Sequence, residues 1–275
     1  MPELPEVETI VRSLRDGGRG SLSIMGKKIL KAKVSWDRTI ETPSVPVFKK
    51  RVINQTVLDV SRRAKYIHIH LSQDSLLIHL RMSGDILVGE GIKPLGKYSR
   101  MALFFENNTQ LSFENPRKFG RVWLLSDTDK IFKDLGPEPL DPEFSPNLFF
   151  EMLRSKKRQI KPLLMDQKFI AGIGNIYADE ALNLAKIHPA TSSDSITLKE
   201  ARKLLKALNE VLQEGIRRNG ASIDWVYKGG GFQNYFRVYQ RTDEPCLACY
   251  TPISRIVIGQ RGTHFCPKCQ PDPNS

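Results

Sequence analysis

Apolar residues recur at Leu4, Val7, Ile10, Val11 and Leu14, the spacing of one buried helical face. The opening MPELPEVETIVRSL therefore predicts a helix that starts almost at the first residue. Pro5 suits a first helical position, where the missing N–H costs nothing. Glu3 and Glu6 fall at the positive end of the helix dipole, which favours carboxylates. Over 23–126 the pattern changes to alternation. KKILKAKVSW, RVINQTVLDVSRRAKYIHIHL, SLLIHLRMSGDILV, SRMALFFENN and TQLSFENPRKFGRVWLL read as short strands between Gly, Asn and Ser turns, as in a sandwich or barrel. GPEPLDPEFSPN, residues 136–147, places four prolines in twelve residues and reads as a linker. Helical periodicity then returns in 147–158, IKPLLMDQKFI, NIYADEALNLAKI and TLKEARKLLKALNEVLQEGIRRN. Near the end, PISRIVIGQRGTHF reads as a hairpin about a Gly259-Gln260-Arg261-Gly262 turn. No internal repeat or low-complexity tract interrupts the series.

Charge narrows the function. Forty-two Lys and Arg against 30 Asp and Glu give a net charge of +12 over 275 residues. That balance suits a nucleic-acid binder or an anionic membrane surface. No apolar run approaches the length of a membrane span and no secretory signal is visible, so a soluble intracellular protein is expected. An acidic, proline-punctuated terminus on so basic a chain is unusual, because chain ends are commonly frayed and expendable.

All four cysteines lie near the end, Cys246, Cys249, Cys266 and Cys269, as two C-x2-C pairs sixteen residues apart. Two disulfides would use the same residues, but a chain without an export signal is the wrong setting for them. The spacing points to one tetrahedral zinc ion with four thiolate ligands and no open position, hence a structural metal that folds a small ribbon. Arg261 at the hairpin tip is then either a solvated turn residue or a rigidly presented phosphate clamp. In AGIGNIYADEAL, Gly172 and Gly174 permit a tight turn and Asn175 can cap the following helix, whose N-terminus would suit a phosphate. Arg154, Lys156, Lys157, Arg158, Lys161 and Lys168 cluster just upstream, either as a solvated face or as a binding surface.

PELPEVET, the lysine of RRAKY, HLRMSG, NPRKFG, LGPEPL, GIGNIYADEAL and GQRGTHFCPKCQ occur in that order. With them, the chain closely resembles the formamidopyrimidine-DNA glycosylases, base-excision repair enzymes that share a superfamily with endonuclease VIII. The resemblance runs from Met1 to about Gln270. It implies an α+β multidomain fold: an N-terminal helix plus β-sandwich (1–135), a linker (136–147), a helix-two-turns-helix domain (148–235) and a four-cysteine zinc finger (236–275). It also implies excision of oxidised purines such as 8-oxoguanine and formamidopyrimidines from damaged double-stranded DNA, by a monomer in the bacterial cytosol.

The resemblance accounts for the terminus. Met1 would be removed, and the nitrogen of Pro2 would attack the sugar C1′ to form a Schiff base. An α-amino group has a pKa of about 8 against about 10.4 for lysine, so more of it is neutral at physiological pH. Glu3 matches the family's proton donor, Glu6 a supporting carboxylate, Lys65 the active-site lysine and Arg261 the zinc-finger arginine that grips phosphates. Asn175 matches a backbone contact. Met82, Arg117 and Phe119 match residues that fill the hole left by an everted base; taken singly, Met82 and Phe119 equally suit a core. NPRKFG carries a lysine where many relatives have a second arginine. The stretch RRNGASIDWVYKGGGFQNYF, 217–236, departs most from the family, whose 8-oxoguanine enzymes carry a longer loop there; Ser222 and Tyr227 are its candidate base contacts. An endonuclease VIII-like preference for oxidised pyrimidines is the nearest rival, against which ELPEVE stands. A proline-based tautomerase fits neither the ribbon nor the charge, and a non-catalytic lesion sensor would not need Pro2, Glu3 and Lys65.

Overall fold

The computed structural model describes residues 2–92, 94–223 and 227–273. Two compact units emerge: Met1–Lys133 with Asn219–Gly230, and Asp134–Arg218 with Gly231–Ser275.

In the first unit, helix α1 (Leu4–Asp16) buries Leu4, Val7, Ile10, Val11 and Leu14, the face that the periodicity marks. It begins one residue before Pro5, which takes the second helical position; its missing N–H is still one that the first turn leaves without a helical partner. Two sheets follow. Strands β1 (Ile29–Val34), β7 (Ser99–Phe105), β8 (Thr109–Glu114) and β6 (Asp85–Glu90) form one, in that order and antiparallel throughout. The other runs β2 (Ile40–Thr42), β9 (Arg121–Leu125), β5 (Ser75–His79), β4 (Tyr66–Leu71) and β3 (Val57–Arg63), with β2 parallel to β9 and the remaining pairs antiparallel. Period-two alternation decides which side chains face inward: in β4, Ile67 and Ile69 are buried in the core, while His68 and His70 stack on each other at 3.7 Å. Val7, Ile10 and Leu14 join Ile67, Ile78, Phe113 and Val122 in one apolar core, so the architecture is a sandwich with α1 packed into it. A short helix α2 (Val45–Val52) stands inside the strand-rich stretch, and α3 (Asp129–Phe132) closes it. RVINQ, read as strand, therefore starts in the last turn of α2, whose Phe48 and Val52 are buried at helical spacing.

The second unit packs α4 (Pro146–Arg154), α5 (Ile160–Leu164), α6 (Asn175–Ala185) and α7 (Leu198–Arg217) with a hairpin of β10 (Ser254–Ile258) and β11 (Arg261–Phe265). Thr197 and Glu200 form a capping box that starts α7: the Glu200 N–H donates to Thr197 Oγ1 at 3.3 Å, and the Thr197 N–H to Glu200 Oε2 at 2.9 Å. The proline-rich 136–147 is fastened down. The Gly136 N–H donates to Gln167 O at 2.9 Å, the Pro137 carbonyl accepts from Ala171 N at 2.9 Å, and Phe144 is buried.

The zinc-ribbon segment has a small apolar cluster of Val238, Cys246, Ile253 and Cys266, and polar side chains of α5 and α6 hold it as well. Lys161 makes a fully buried ion pair with Asp179 at 2.6 Å and donates to Thr263 Oγ1 at 2.8 Å and Gly262 O at 3.0 Å. Asp179 also accepts from the backbone N–H of His264 at 2.9 Å. Glu180 accepts from Arg237 N at 2.7 Å, Tyr239 N at 2.8 Å and Val238 N at 3.0 Å, while burial holds its carboxyl above the usual range. Lys161 thus leaves the basic cluster that the sequence suggested and becomes a buried strut.

Replacing Asp179 by Ala would strand the Lys161 ammonium without its counter-charge. Breaking such a pair costs about 3–5 kcal/mol, whereas replacing both partners by apolar residues costs much less. Urea titrations of Asp179→Ala and of the Asp179→Leu, Lys161→Met double variant should show that order. Equal losses in the two variants would mean that the charge itself is not what matters.

Candidate active site

At the head of α1, Pro2, Glu3 and Glu6 are all buried, Glu3 and Glu6 to 2 % exposure. Pro2 and Glu3 are therefore set into the unit. Glu3 is the N-cap, and its N–H donates to Glu6 Oε2 at 2.7 Å. The other oxygen of Glu6 accepts from Ala221 N at 2.7 Å. Gly220 makes that approach possible: its φ is +75°, and a Cβ there would lie 2.6 Å from Glu6 Oε1. One turn further along, Glu8 accepts from Arg12 at 2.8 Å and from Arg62 at 3.1 Å. Arg62 also donates to the Ala64 carbonyl at 3.1 Å, which ties α1 to the β3–β4 turn that carries Lys65. Lys65 is 4 % exposed. Burial, with the Arg81 and Lys65 charges nearby, pushes His79 down to about 3, so its imidazole is neutral. The ring accepts from Arg81 N through Nδ1 at 3.0 Å. The arrangement offers buried Pro2, two carboxylates and a buried lysine beside a neutral imidazole.

Met82 and Phe119 are not core residues. They are 39 % and 53 % exposed, and Arg117 points its guanidinium toward Met82, with Nη1 3.9 Å from Sδ. Two loops, 80–84 and 115–120, carry the three side chains, and buried Asn115 buckles the loops together. Its Nδ2 donates to Leu80 O at 3.1 Å and its Oδ1 accepts from Gly120 N at 3.2 Å. The glycines of HLRMSG and NPRKFG are steric requirements: a Cβ on Gly84 would lie 2.7 Å from Leu80 O, and one on Gly120 would strike the Phe113 ring.

The 219–230 segment folds onto the same unit. Ser222 is half-buried and accepts from Gly230 N at 2.8 Å. Tyr227 is placed otherwise than as a base contact. Its ring is 3 % exposed within the sandwich core, and its hydroxyl donates to Asn219 O at 2.5 Å. Burial raises its pKa further above the usual tyrosine value. Asp224, Trp225 and Val226 lie outside the described residues.

In the second unit, Asn175 is the first residue of α6 rather than its cap. Gly174, in extended conformation, takes the N-cap position, and Asn175 Nδ2 donates to Gly262 O at 3.2 Å. The hairpin turn is the two residues Gly259 and Gln260, both left-handed at φ +55° and +62°. Arg261 therefore starts β11, exposed and paired with Ile258. The four cysteine sulfurs lie within 4.8 Å of one another. Cys249 Sγ is 3.4 Å from Cys266 Sγ and 3.5 Å from Cys269 Sγ. Four thiolates at about 2.3 Å from a zinc ion would be roughly 3.8 Å apart, so the cluster fits that metal. Backbone N–H groups of Ala248 and Cys269 point at Cys246 and Cys266 Sγ, 3.5 and 3.4 Å away.

Three family models match the chain: the formamidopyrimidine-DNA glycosylase N-terminal domain over 1–122, the formamidopyrimidine-DNA glycosylase H2TH domain over 135–226, and a zinc finger found in that family and in isoleucyl-tRNA synthetases over 243–271. The chain belongs to the formamidopyrimidine-DNA glycosylase family. Relatives named formamidopyrimidine-DNA glycosylase include those of Protochlamydia amoebophila, 39 % identical over 98 % of this chain and 99 % of that protein, and of Chloroflexus aurantiacus, 43 % identical over 98 % of each. Among solved structures, the Lactococcus lactis family member in complex with abasic-site DNA aligns with a TM-score of 0.91 at 36 % identity, covering 98 % of this chain and 100 % of that one. The same L. lactis protein bound to DNA containing an N7-benzyl formamidopyrimidine aligns equally well, at 37 % identity.

The glycosylase finger takes one structural zinc ion through Cys246, Cys249, Cys266 and Cys269. Several residues that shape the site escape a sequence reading. Asn115 stands inside a motif whose arginine and phenylalanine attract attention first. Arg62 is the neighbour of an obvious lysine, and Glu8 looks like one more solvated helix carboxylate.

Chelation of the zinc should release the hairpin that presents Arg261 while the sandwich stays folded on its own core. Gel-shift titration with DNA before and after chelation, alongside circular dichroism, checks this. Full DNA binding by metal-free protein would overturn it.

Proposed function

We propose that this chain is a bifunctional DNA glycosylase and abasic-site lyase of base excision repair, acting in the cytoplasm on oxidised purines in double-stranded DNA. The observation that carries this reading is the buried head of α1: Pro2 and Glu3 are anchored inside the first unit, before a helix whose next carboxylate, Glu6, is held by two backbone N–H groups.

Once Met1 is removed, Pro2 is a free secondary amine. Its nitrogen attacks C1′ as the damaged base leaves with its bonding electrons and a proton. Glu3 protonates O4′ as the sugar ring opens, leaving an iminium between Pro2 and C1′. The ionised carboxylate that remains stabilises this cation. Loss of the C2′ proton expels the 3′ phosphate, a second elimination expels the 5′ phosphate, and water hydrolyses the iminium to free the enzyme. Glu6, with both oxygens engaged, orients the terminus rather than moving protons. Lys65 supplies positive charge near the lesion, and Asn175 and Arg261 contact backbone phosphates. Met82, Arg117 and Phe119 enter the duplex: Phe119 wedges between base pairs, Arg117 hydrogen-bonds the orphaned base and Met82 fills the void. Their joint exposure on two buckled loops supports this, since a large apolar side chain left in water is otherwise unfavourable. The same reading assigns catalysis to the 1–135 part, with 148–235 and 236–275 gripping DNA across the 136–147 connection. An L. lactis relative has been crystallised with DNA containing an oxidised pyrimidine, so a substrate range extending to such bases is the second reading.

Borohydride should trap this protein on abasic-site DNA through the Pro2 nitrogen, located by peptide mapping of the adduct. Pro2→Gly keeps a primary amine and should retain some trapping, whereas a retained residue before Pro2 should abolish it. Glu3→Gln should slow base excision more than cleavage of a preformed abasic site. A cross-link on Lys65 would overturn this mechanism.

Binding should weaken steeply with salt, and Arg261→Ala should flatten the log–log slope by about 0.9, the contribution of one phosphate contact. An unchanged slope would remove Arg261 from the phosphate contacts.

A further inference from the structure

The first half of α7 carries Lys199, Arg202, Lys203 and Lys206, all of them exposed. Their spacing is i, i+3, i+4 and i+7, so they share one face, within about 100° of one another around the helix axis. Ala201, Leu204, Leu205 and Leu208 are buried on the opposite side of the helix, and α4 and α6 pack against α7. Among the described residues none of the four cations forms an ion pair; Arg202 reaches only Asn147 Oδ1, at 3.5 Å. The second half of the same helix is different, because there Glu214 takes both Arg217 and Arg218.

For stability alone this is the wrong charge in the wrong place. The N-terminal end of a helix is the positive pole of its dipole, which disfavours cations. Like charges three and four residues apart also repel, as Lys199 does with Arg202 and Lys203, and Lys206 with the same two. Nearby carboxylates are engaged or displaced: Glu200 serves the cap at Thr197, Asp194 accepts from Ser192, Glu151 lies on α4 and Glu210 stands one turn beyond Lys206. More cations adjoin the stripe. Ser193 Oγ donates to Lys156 O at 2.6 Å and the Ser193 N–H to Arg158 O at 2.8 Å, which sets exposed Lys156 and Lys157 beside the start of α7. Of the basic cluster upstream of α6, Lys161 and Arg158 pair with Asp179 and Asp166, and these two lysines remain in water. A polyanion would relieve the repulsion that the fold leaves standing.

We propose that the α7 stripe is a second duplex-binding surface, which takes the phosphates of an undamaged DNA segment while another segment is held elsewhere on the protein. The proposal rests on the DNA-binding reading above. From Lys199 to Lys206 the stripe runs about 10 Å along the helix axis. Duplex DNA presents a phosphate of each strand every ~3.4 Å along its own axis, so about three phosphates of one strand match that length. Lysine and arginine on phosphates position a protein without reading sequence, so undamaged DNA is the fitting partner. The stripe is separate from the surface of Asn175 and Gly262, since α6 packs on the buried side of α7. A protein that holds two segments can pass from one to the other without being released into solution.

Full-length wild type, saturated one to one with a short duplex carrying an uncleavable abasic-site analogue, is to be titrated with a fluorescent undamaged duplex. Anisotropy reads the affinity, and sedimentation reads whether one protein carries both duplexes. The second duplex should bind with a Kd of about 10⁻⁴ to 10⁻⁶ M at physiological salt, and with a log–log salt slope of roughly −3 to −4. The quadruple variant Lys199→Gln, Arg202→Gln, Lys203→Gln, Lys206→Gln keeps good helix formers on α7. It should hold the second duplex at least about tenfold more weakly and the first within about twofold of wild type. The triple variant Lys199→Arg, Lys203→Arg, Lys206→Arg keeps the charge and should keep the second duplex. No complex with two duplexes in wild type, equal binding in the Gln variant, or loss in the Arg variant overturns the proposal. So does tighter binding of anionic phospholipid vesicles or of a polyglutamate peptide through the same four residues. A wild type that does not hold the first duplex counts instead against the DNA-binding reading; equal binding of the undamaged duplex alone by wild type and the Gln variant would then overturn the stripe as well.

Discussion

Glu6 divides its two oxygens between the N–H of Glu3 and the N–H of Ala221, and the rest of the first unit is arranged around that division. A buried carboxylate is costly to desolvate, and it becomes tolerable when backbone donors satisfy it. Here the donors come from the third residue and from a segment reached only after the whole helical region has been traversed. The carboxylate thus makes a chain end behave like an interior position, and it makes a distant loop part of the sandwich. Gly220 is the steric counterpart, since any side chain there would occupy the place of the carboxylate.

What the sequence discloses and what it hides follow from range. Helix α1 was legible because its five apolar positions and its capping residues are neighbours along the chain. The cysteine cluster was legible because C-x2-C is itself a local geometry. The strands were legible through alternation, whereas α2 was absorbed into them, since eight residues with two buried apolar side chains are too few to override their surroundings. Lys161 shows the opposite limit. In sequence it belongs to a run of basic residues, and only the fold brings Asp179 and Thr263 to it, so a surface cation becomes an interior strut. Tyr227 likewise reaches a buried place that its own stretch of sequence does not disclose.

The site shows how one unit keeps charge where it is useful. His79 lies in the same buried neighbourhood as Lys65 and Arg81, where a third cation would be strongly disfavoured, and burial keeps its ring neutral. Glu8 is satisfied by Arg12 and Arg62. On the exposed side the logic reverses. Asn115 is spent on backbone groups so that Met82, Arg117 and Phe119 can stand in water, an unfavourable state alone and a favourable one against a partner.

The return of 219–230 to the first unit has a consequence for the order in which the protein is made. A ribosome delivers the terminus first, and domains commonly fold as they emerge. Yet the N–H that completes Glu6 belongs to Ala221, 215 residues later. The sandwich can collapse while the helical region is still being translated, but the setting of Glu3 and Glu6 stays unfinished until Ala221 has been made. Nascent chains halted before that point would have a folded core and an incomplete amino terminus, so the oldest residues of the molecule are among the last to reach their final surroundings.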